Sequence, residues 1–291
     1  MYQAISGNRA KSLLVLILFL LVIVALGYAF GEWSQLGYAA PAVALIFALA
    51  SVLTSYYYSD RIVLAMSQAR PAAKENYPQL YNAVEGLSIA AGLPMPRLYV
   101  IGDTAPNAFA TGRDPQHAAI AVTTGLLDKL GRYELEGVIA HEMSHIADYD
   151  IRFMTIVAVL VGTIALMSDW MRRFWWFGGR SRQRGAAGLI AVAGLILAAV
   201  APVAALLMQM ALSRTREYLA DAQGAMLTRY PDGLADALEK LAADTEPLEV
   251  ANKATAHLYI VNPLTEHKGM MNNLFDTHPP IEERIRRLRA M

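Results

Sequence analysis

The sequence contains no cysteine. That absence excludes disulfides, thiol catalysis, iron–sulfur clusters and every cysteine-ligated zinc site. A metal could be held only by histidine and carboxylate, and the chain has six histidines. Charge is scarce too. Asp, Glu, Lys and Arg make up 17% of the 291 residues, against about 25% in an ordinary soluble domain. Neither sign is in excess, because 25 Lys and Arg balance 25 Asp and Glu. A polyanion binder carries a basic excess, so no nucleic acid is expected as partner. What replaces charge is apolar: 55% of residues are hydrophobic and the mean hydropathy is +0.32. A lipid bilayer is therefore an expected part of the surroundings.

Four uncharged runs stand out: Leu13 to Phe30, Leu36 to Tyr58, Phe153 to Ser168 and Gly185 to Leu212. Each is about the length that crosses a hydrocarbon core of roughly 30 Å. The first could be a signal peptide, with Arg9 and Lys11 as its basic head. It is long for one, lacks a small-x-small cleavage site, and leads at once into the second run, so an uncleaved helical hairpin is expected. If all four runs cross, Arg9, Lys11, Arg61, Arg70, Lys74, Arg152, Arg214 and Arg216 share one side. Arg172, Arg173, Arg180, Arg182 and Arg184 share the other. The larger set favours the first side as cytoplasmic. Four segments follow: a transmembrane hairpin (1–58), a polar block (59–152), a second membrane hairpin (153–212) and a second polar block (213–291).

Within the polar blocks, Leu80, Val84, Leu87 and Ala91 share one face of a helix opened by Pro78 and ended by Gly92 and Pro94. Leu98 to Ile101 and Ala118 to Thr123 read as short strands, with Asn107 to Thr111 as a possible third. From about Arg132 a helix runs toward the third apolar run. Leu234, Leu238 and Leu241 share a helical face, as do Ile281, Ile285 and Leu288.

The helix from Arg132 carries Ala140-His141-Glu142-Met143-Ser144-His145, the H-E-x-x-H pattern. A spacing of four residues puts His141 and His145 on one face, about 6 Å apart along the axis, so both imidazoles can reach one zinc ion. Glu142 lies beside them, where it can take a proton from a water activated by the metal. The plain alternative is a pair of histidines on a helix surface. Val138, Ile139, Ala140 and Ile146 argue against it, because they make the segment a buried helix in which unpaired polar groups are costly.

A catalytic zinc usually has three protein ligands. No third histidine follows at the spacing used by one zincin class, since Asp148 and Ile151 stand there. After the fourth apolar run, however, Glu217 and Asp221 are again four residues apart on one helical face. Glu217 could bind zinc, and Asp221 could accept the ring N–H of a zinc histidine. An E-x-x-x-D pattern alone is usually a solvated helix face. The even number of apolar runs between His145 and Glu217 returns the chain to the side it left, which permits the pairing.

The sequence resembles the HtpX family of membrane zinc metalloproteases, which is related to the type I CAAX prenyl proteases. The residues that carry the resemblance are the N-terminal hairpin, Asn107 to Gly112, His141 to His145 with Asp150, Arg216-Glu217 to Asp221, and Thr277-His278-Pro279-Pro280 through Arg284. Together they span nearly the whole chain. The expected fold is a mainly α integral membrane protein with four apolar helices and a zincin-like metalloprotease domain containing a small β-sheet. The resemblance implies one Zn2+ per chain and a multi-pass protein of the cell inner membrane, with its active site facing the cytoplasm. It also implies endopeptidase action on unfolded or damaged membrane proteins.

Roles follow as expectations. His141, His145 and Glu217 hold zinc, Glu142 is the proton acceptor, and Asp221 with Asp150 supports the ligands. His278 and Arg284, which match the family's C-terminal His-Pro motif, are candidates to stabilise the oxyanion. Asn107, Ala108, Phe109 and Ala110 look like the family's edge strand, open to pair with an extended substrate. His117 reads as a surface residue, and His257 and His267 as loop residues. Three competitors remain: a processing protease for one peptide class, a non-proteolytic zinc-binding scaffold, and a transporter with an incidental metal site. The last is disfavoured by the lack of polar residues within the runs.

Overall fold

The computed structural model describes residues 2–34, 37–178, 213–252, 254–263 and 279–291. The fourth apolar run, the Arg180, Arg182 and Arg184 segment, His267 and His278 lie outside them. The described chain is mainly helical with one small mixed sheet.

Two long helices, α1 (Tyr2–Ser34) and α2 (Ala39–Met66), come first. They pack against the first half of a third, α6 (Asp150–Gly178). Val15, Phe19 and Ile23 of α1, Ala48 of α2, and Phe153, Ile156, Val157 and Leu160 of α6 form a continuous apolar cluster. The expectation of four membrane-length helices is met in part. Among the described residues only Pro41–Met66 is both long and apolar enough to cross a membrane, and Ala10–Ala25 is a shorter apolar stretch. The start of α6 packs on the folded domain, where Met154, Ala158 and Val159 share a cluster with Phe109 and Tyr259.

The sheet lies between these helices and the rest. Strands β1 (Arg70–Pro71), β2 (Arg97–Ile101), β3 (Ala108–Thr111) and β4 (Ala119–Thr123) are ordered β1-β2-β4-β3. β2 and β4 run parallel, whereas β1 and β3 are antiparallel to their neighbours. Helix α3 (Pro78–Ala91) stops where Gly92 takes the left-handed conformation at φ 64°, which costs a residue without Cβ little. A short α4 (Thr124–Lys129) starts where the Thr123 hydroxyl accepts from Leu126 N–H at 3.1 Å.

At the centre is α5 (Arg132–Ala147). Its N-terminus is tied down by Glu134, whose carboxylate accepts from the Gly131 N–H at 2.6 Å. Val138, Ile139, Met143 and Ile146 are buried in one core with Leu98, Val100, Ile120 and Val122 of the sheet, and Leu80 and Val84 of α3. The helix expected from about Arg132 toward the third apolar run is this one, and it ends at Ala147. The chain turns at Tyr149, which has φ 61°, before α6 begins. No glycine or proline marks that corner in the sequence.

Three helices close the domain: α7 (Arg214–Thr228), α8 (Pro231–Ala243) and α9 (Ile281–Arg289). Leu234, Leu238 and Leu241 of α8 face the core as their spacing predicts, each contributing about 1.5–3 kcal/mol. Helix α9 docks through Leu288 and through Arg289, which pairs with Asp232, Asp236 and Glu239 of α8.

Candidate metal centre

The middle of α5 is buried on all sides, so its polar residues must find partners inside the protein. His141 Nδ1 meets Asp221 Oδ1 at 2.9 Å, and His145 Nδ1 meets Asp150 Oδ2 at 3.0 Å. With each Nδ1 engaged by a carboxylate, the two Nε2 atoms turn to one point and lie 3.2 Å apart. Glu217 arrives from α7, its carboxylate oxygens 3.7 Å from His141 Nε2 and 3.6 Å from His145 Nε2. A tetrahedral zinc ion with bonds of 2.0–2.1 Å separates its ligands by about 3.3 Å. The donor set therefore fits such an ion in spacing, chemistry and ring orientation. It is also the only cluster of three or more metal-capable side chains among the described residues.

Electrostatics favour a cation at that point. Burial pulls His145 down, but Asp150 and the nearby Glu217 and Glu142 charges outweigh it and hold the imidazole at about 9. His141 goes the other way. Burial lowers it, and despite Asp221 the charge of Arg284 helps keep it at about 4. Carboxylates thus act on both rings, Asp221 on His141 and Asp150, Glu217 and Glu142 on His145.

Glu142 is buried on the turn between the histidines. Burial pushes its carboxyl up to about 7, with Glu217 adding to the rise, while a hydrogen bond from the Ala110 backbone works against it. A carboxyl poised there can exchange a proton near neutral pH. It also touches β3, the strand expected to bind substrate.

That strand is less open than expected. All four residues of β3 are buried. Thr123 N–H donates to Asn107 O on the β4 side, so by alternation the peptide groups of Ala108 and Ala110 face outward. Ala108 O already accepts from Ile260 N–H at 3.0 Å, and Asn107 Nδ2 donates to Val261 O at 2.9 Å. An edge running from Asn107 to Ala110 is thereby narrowed to its far end, because residues 260–261 cover the near end. The Phe109 ring is buried against Tyr259, with centroids 5.1 Å apart.

Arg284 is wholly buried behind the cluster. Its Nε and Nη2 donate to the two oxygens of Asp221 at 2.9 and 2.7 Å, and Nη1 donates to Ile260 O at 3.0 Å. Its charge lowers the Asp221 carboxyl to about 2 against the upward pull of burial. Arg284 therefore grips the carboxylate that meets His141 Nδ1. His278, the other expected oxyanion donor, lies outside the described residues. His117 pairs with Asp114 at the surface, as expected. His257 stands apart from the metal cluster in a short turn, Ala256–Leu258, where it is buried with Nε2 3.0 Å from Met154 O.

One part of the site carries no sequence signal of its own. Gly224 of α7 lies so close to α5 that a Cβ there would sit 3.0 Å from His141 N. This close approach lets Glu217 and Asp221 reach across. Arg216 Nη1 stands 3.6 Å from Asp150 Oδ1, and its guanidinium lies 5.4 Å from the centre of the Phe153 ring.

Comparison with known proteins agrees with this arrangement. The sequence profile of peptidase family M48 matches residues 74–291. The curated protein "Protease HtpX homolog" of Dictyoglomus thermophilum is 48% identical over 290 residues, covering 100% of this chain and 94% of its own. Its namesake in Tropheryma whipplei strain TW08/27 is 46% identical over 291 residues, covering 100% and 98%. Among solved structures, S. mikatae Ste24p aligns with 99% of this chain and 67% of its own at a TM-score of 0.50. At 18% identity that likeness speaks for the fold alone. By whole-length similarity to these relatives, and by a profile match that takes in both halves of the metal centre, the chain belongs to peptidase family M48 and is a metalloprotease.

Proposed function

We propose that this metalloprotease is a zinc-dependent endopeptidase of the cell inner membrane. Its active site faces the cytoplasm, and it hydrolyses peptide bonds of misfolded or damaged membrane proteins. The observation that carries the proposal is the convergence of His141, His145 and Glu217 to within 4.8 Å of one another, with Glu142 on the same turn of α5.

His141, His145 and Glu217 hold the zinc ion, one per chain. Bound there, zinc supplies a Lewis acid that polarises a scissile carbonyl and lowers the pKa of a water to about 7. Glu142 accepts the proton of the attacking water and returns it to the leaving amine. Asp221 and Asp150 keep the histidines in the tautomer that points Nε2 inward, and Arg284 holds Asp221 in place. The substrate backbone runs along the far end of β3 beside Ala110, next to Glu142. Pairing through main-chain groups selects an extended peptide with little regard for its sequence, which suits a protease acting on unfolded segments. His278 supplies a hydrogen bond to the developing oxyanion.

The membrane reading draws support from α1 and α2. Leu13, Leu14, Ile17, Leu21, Val43, Ile46 and Leu53 are all exposed large apolar side chains, and exposed apolar surface on that scale suits contact with lipid or another apolar partner. The proposed organisation is a transmembrane hairpin (1–58), a second membrane hairpin (153–212), and a catalytic domain assembled from 59–152 and 213–291. The test is cleavage of an unfolded membrane protein by detergent-purified enzyme with added zinc, alongside Glu142→Gln. The wild type degrades it and the variant does not; equal rates in both would overturn the reading.

A further inference from the structure

Asn8 sits in the first turns of α1, before the apolar stretch Ala10–Ala25 begins. It is a buried polar side chain, 4% exposed, and burying an amide is costly unless it is hydrogen-bonded. Its partners lie on the metal-bearing part of the chain. Asn8 Nδ2 donates to Asp148 O at 3.0 Å and to Asp150 Oδ1 at 2.5 Å. Those two residues flank Tyr149, the left-handed corner between α5 and α6. The remaining oxygen of Asp150 meets His145 Nδ1 at 3.0 Å. An unbroken path of contacts thus runs from the first helix through one amide and one carboxylate to a ligand ring.

We propose that Asn8 is a positioning residue for the metal centre: through it, α1 holds the carboxylate that orients His145, so metal retention depends on how the N-terminal helix is docked. The inference rests on the reading of His145 as a metal ligand. A carboxylate gripped at Oδ1 cannot swing about its own axis, and its Oδ2 stays on the imidazole. Without the amide, the contact left to Asp150 Oδ1 among the described residues is Arg216 at 3.6 Å, beyond hydrogen-bond distance. The Asp148 carbonyl held by the same amide fixes the corner from its other side. Outer partners of metal-binding histidines typically change metal affinity by about 10–100-fold. Asn8, one step further out, belongs at the low end of that range.

The test is zinc affinity of the full chain in detergent at pH 8, measured by competition with a fluorescent chelator. Four proteins are compared: wild type, Asn8→Ala, the isosteric Asn8→Asp, and Ser12→Ala. Ser12 is buried one turn further along α1, its hydroxyl donating to Asn8 O at 2.8 Å, so its loss reports on helix packing alone. We expect zinc to bind about tenfold more weakly in Asn8→Ala. Asn8→Asp should be weakened as much or more, because it sets a second carboxylate against Asp150. Ser12→Ala should match the wild type. Should Asn8→Ala fail to fold, Asn8→Asp carries the comparison. Wild-type affinity in the Asn8 variants, or an equal loss in Ser12→Ala, would overturn the inference. Absence of zinc binding by the wild type would instead overturn the metal-site reading beneath it.

Discussion

Asp221 and Arg284, 63 residues apart in sequence, form a fully buried pair joined by two parallel hydrogen bonds directly behind His141. Breaking such a pair by removing one member leaves the other charge in the interior without compensation. Replacing Arg284 with Met is therefore expected to cost about 3–5 kcal/mol of stability and to weaken zinc binding through His141. Arg284→Lys should not restore either, since an ammonium cannot make the forked contact. Thermal unfolding and zinc titration of the two variants check this.

Separating the ligands from the proton acceptor gives a sharper expectation. Glu142→Gln should retain one zinc per chain while turnover falls by about 10²–10⁴-fold. His141→Ala and Glu217→Ala should lose both. Metal analysis and a peptide-cleavage assay on the same preparations distinguish the two outcomes.

The approach of α7 to α5 can be tested by filling it. In Gly224→Val, atoms would press on the backbone of His141, whose N lies 3.0 Å from the first carbon added. Overpacking of this kind costs about 1–3 kcal/mol. Here it would also push Glu217 away from the histidines, so zinc affinity should fall with stability. Gly224→Ala should show the same trend at smaller amplitude.

Tyr259 predicts a pH dependence remote from the metal. Burial raises its phenol from 10.0 to about 12, despite its hydrogen bond to Ser67. The folded state therefore keeps a proton that the unfolded chain gives up. That contribution is complete below pH 10 and is lost as pH rises from 10 toward 12, by about 2–3 kcal/mol in all. Melting curves at pH 9 and 11.5 should show the loss in the wild type and a smaller one in Tyr259→Phe.

Because the chain has no cysteine, single cysteines report topology without background. If the second hairpin spans the bilayer, Arg180→Cys should react with an impermeant maleimide from outside intact spheroplasts. Glu85→Cys, on exposed α3, should react only after lysis. Labelling of both from the same side would rule out the four-span arrangement.

What the sequence revealed was local chemistry. Four-residue spacing identified His141 with His145, and Glu217 with Asp221, because a helix turns such spacing into adjacency. Pro78 and Gly92 bracketed α3 for equally local reasons. The contacts it concealed join distant segments. Asn8 to Asp150, Ile260 to Ala108 and Arg284 to Asp221 leave no periodic trace, since each is made by tertiary packing. The corner at Tyr149 was hidden because a residue with no special turn propensity is held there by its surroundings. The apolar run beginning at Phe153 is ambiguous in the sequence because a core helix and a membrane helix look alike over that length, and its first turns do pack on the folded domain.

The order in which the metal centre is assembled has a consequence for the cell. Arg284 contacts His141 across 143 residues of chain, and Glu217 and Asp221 lie between them. A ribosome therefore displays both histidines and Glu142 well before it has made Glu217 or the arginine that grips Asp221 behind His141. During that interval the emerging polypeptide has the nucleus of a hydrolase but no means to hold its metal. A cell therefore has to make α9 before the cluster and the arginine behind it can both be in place.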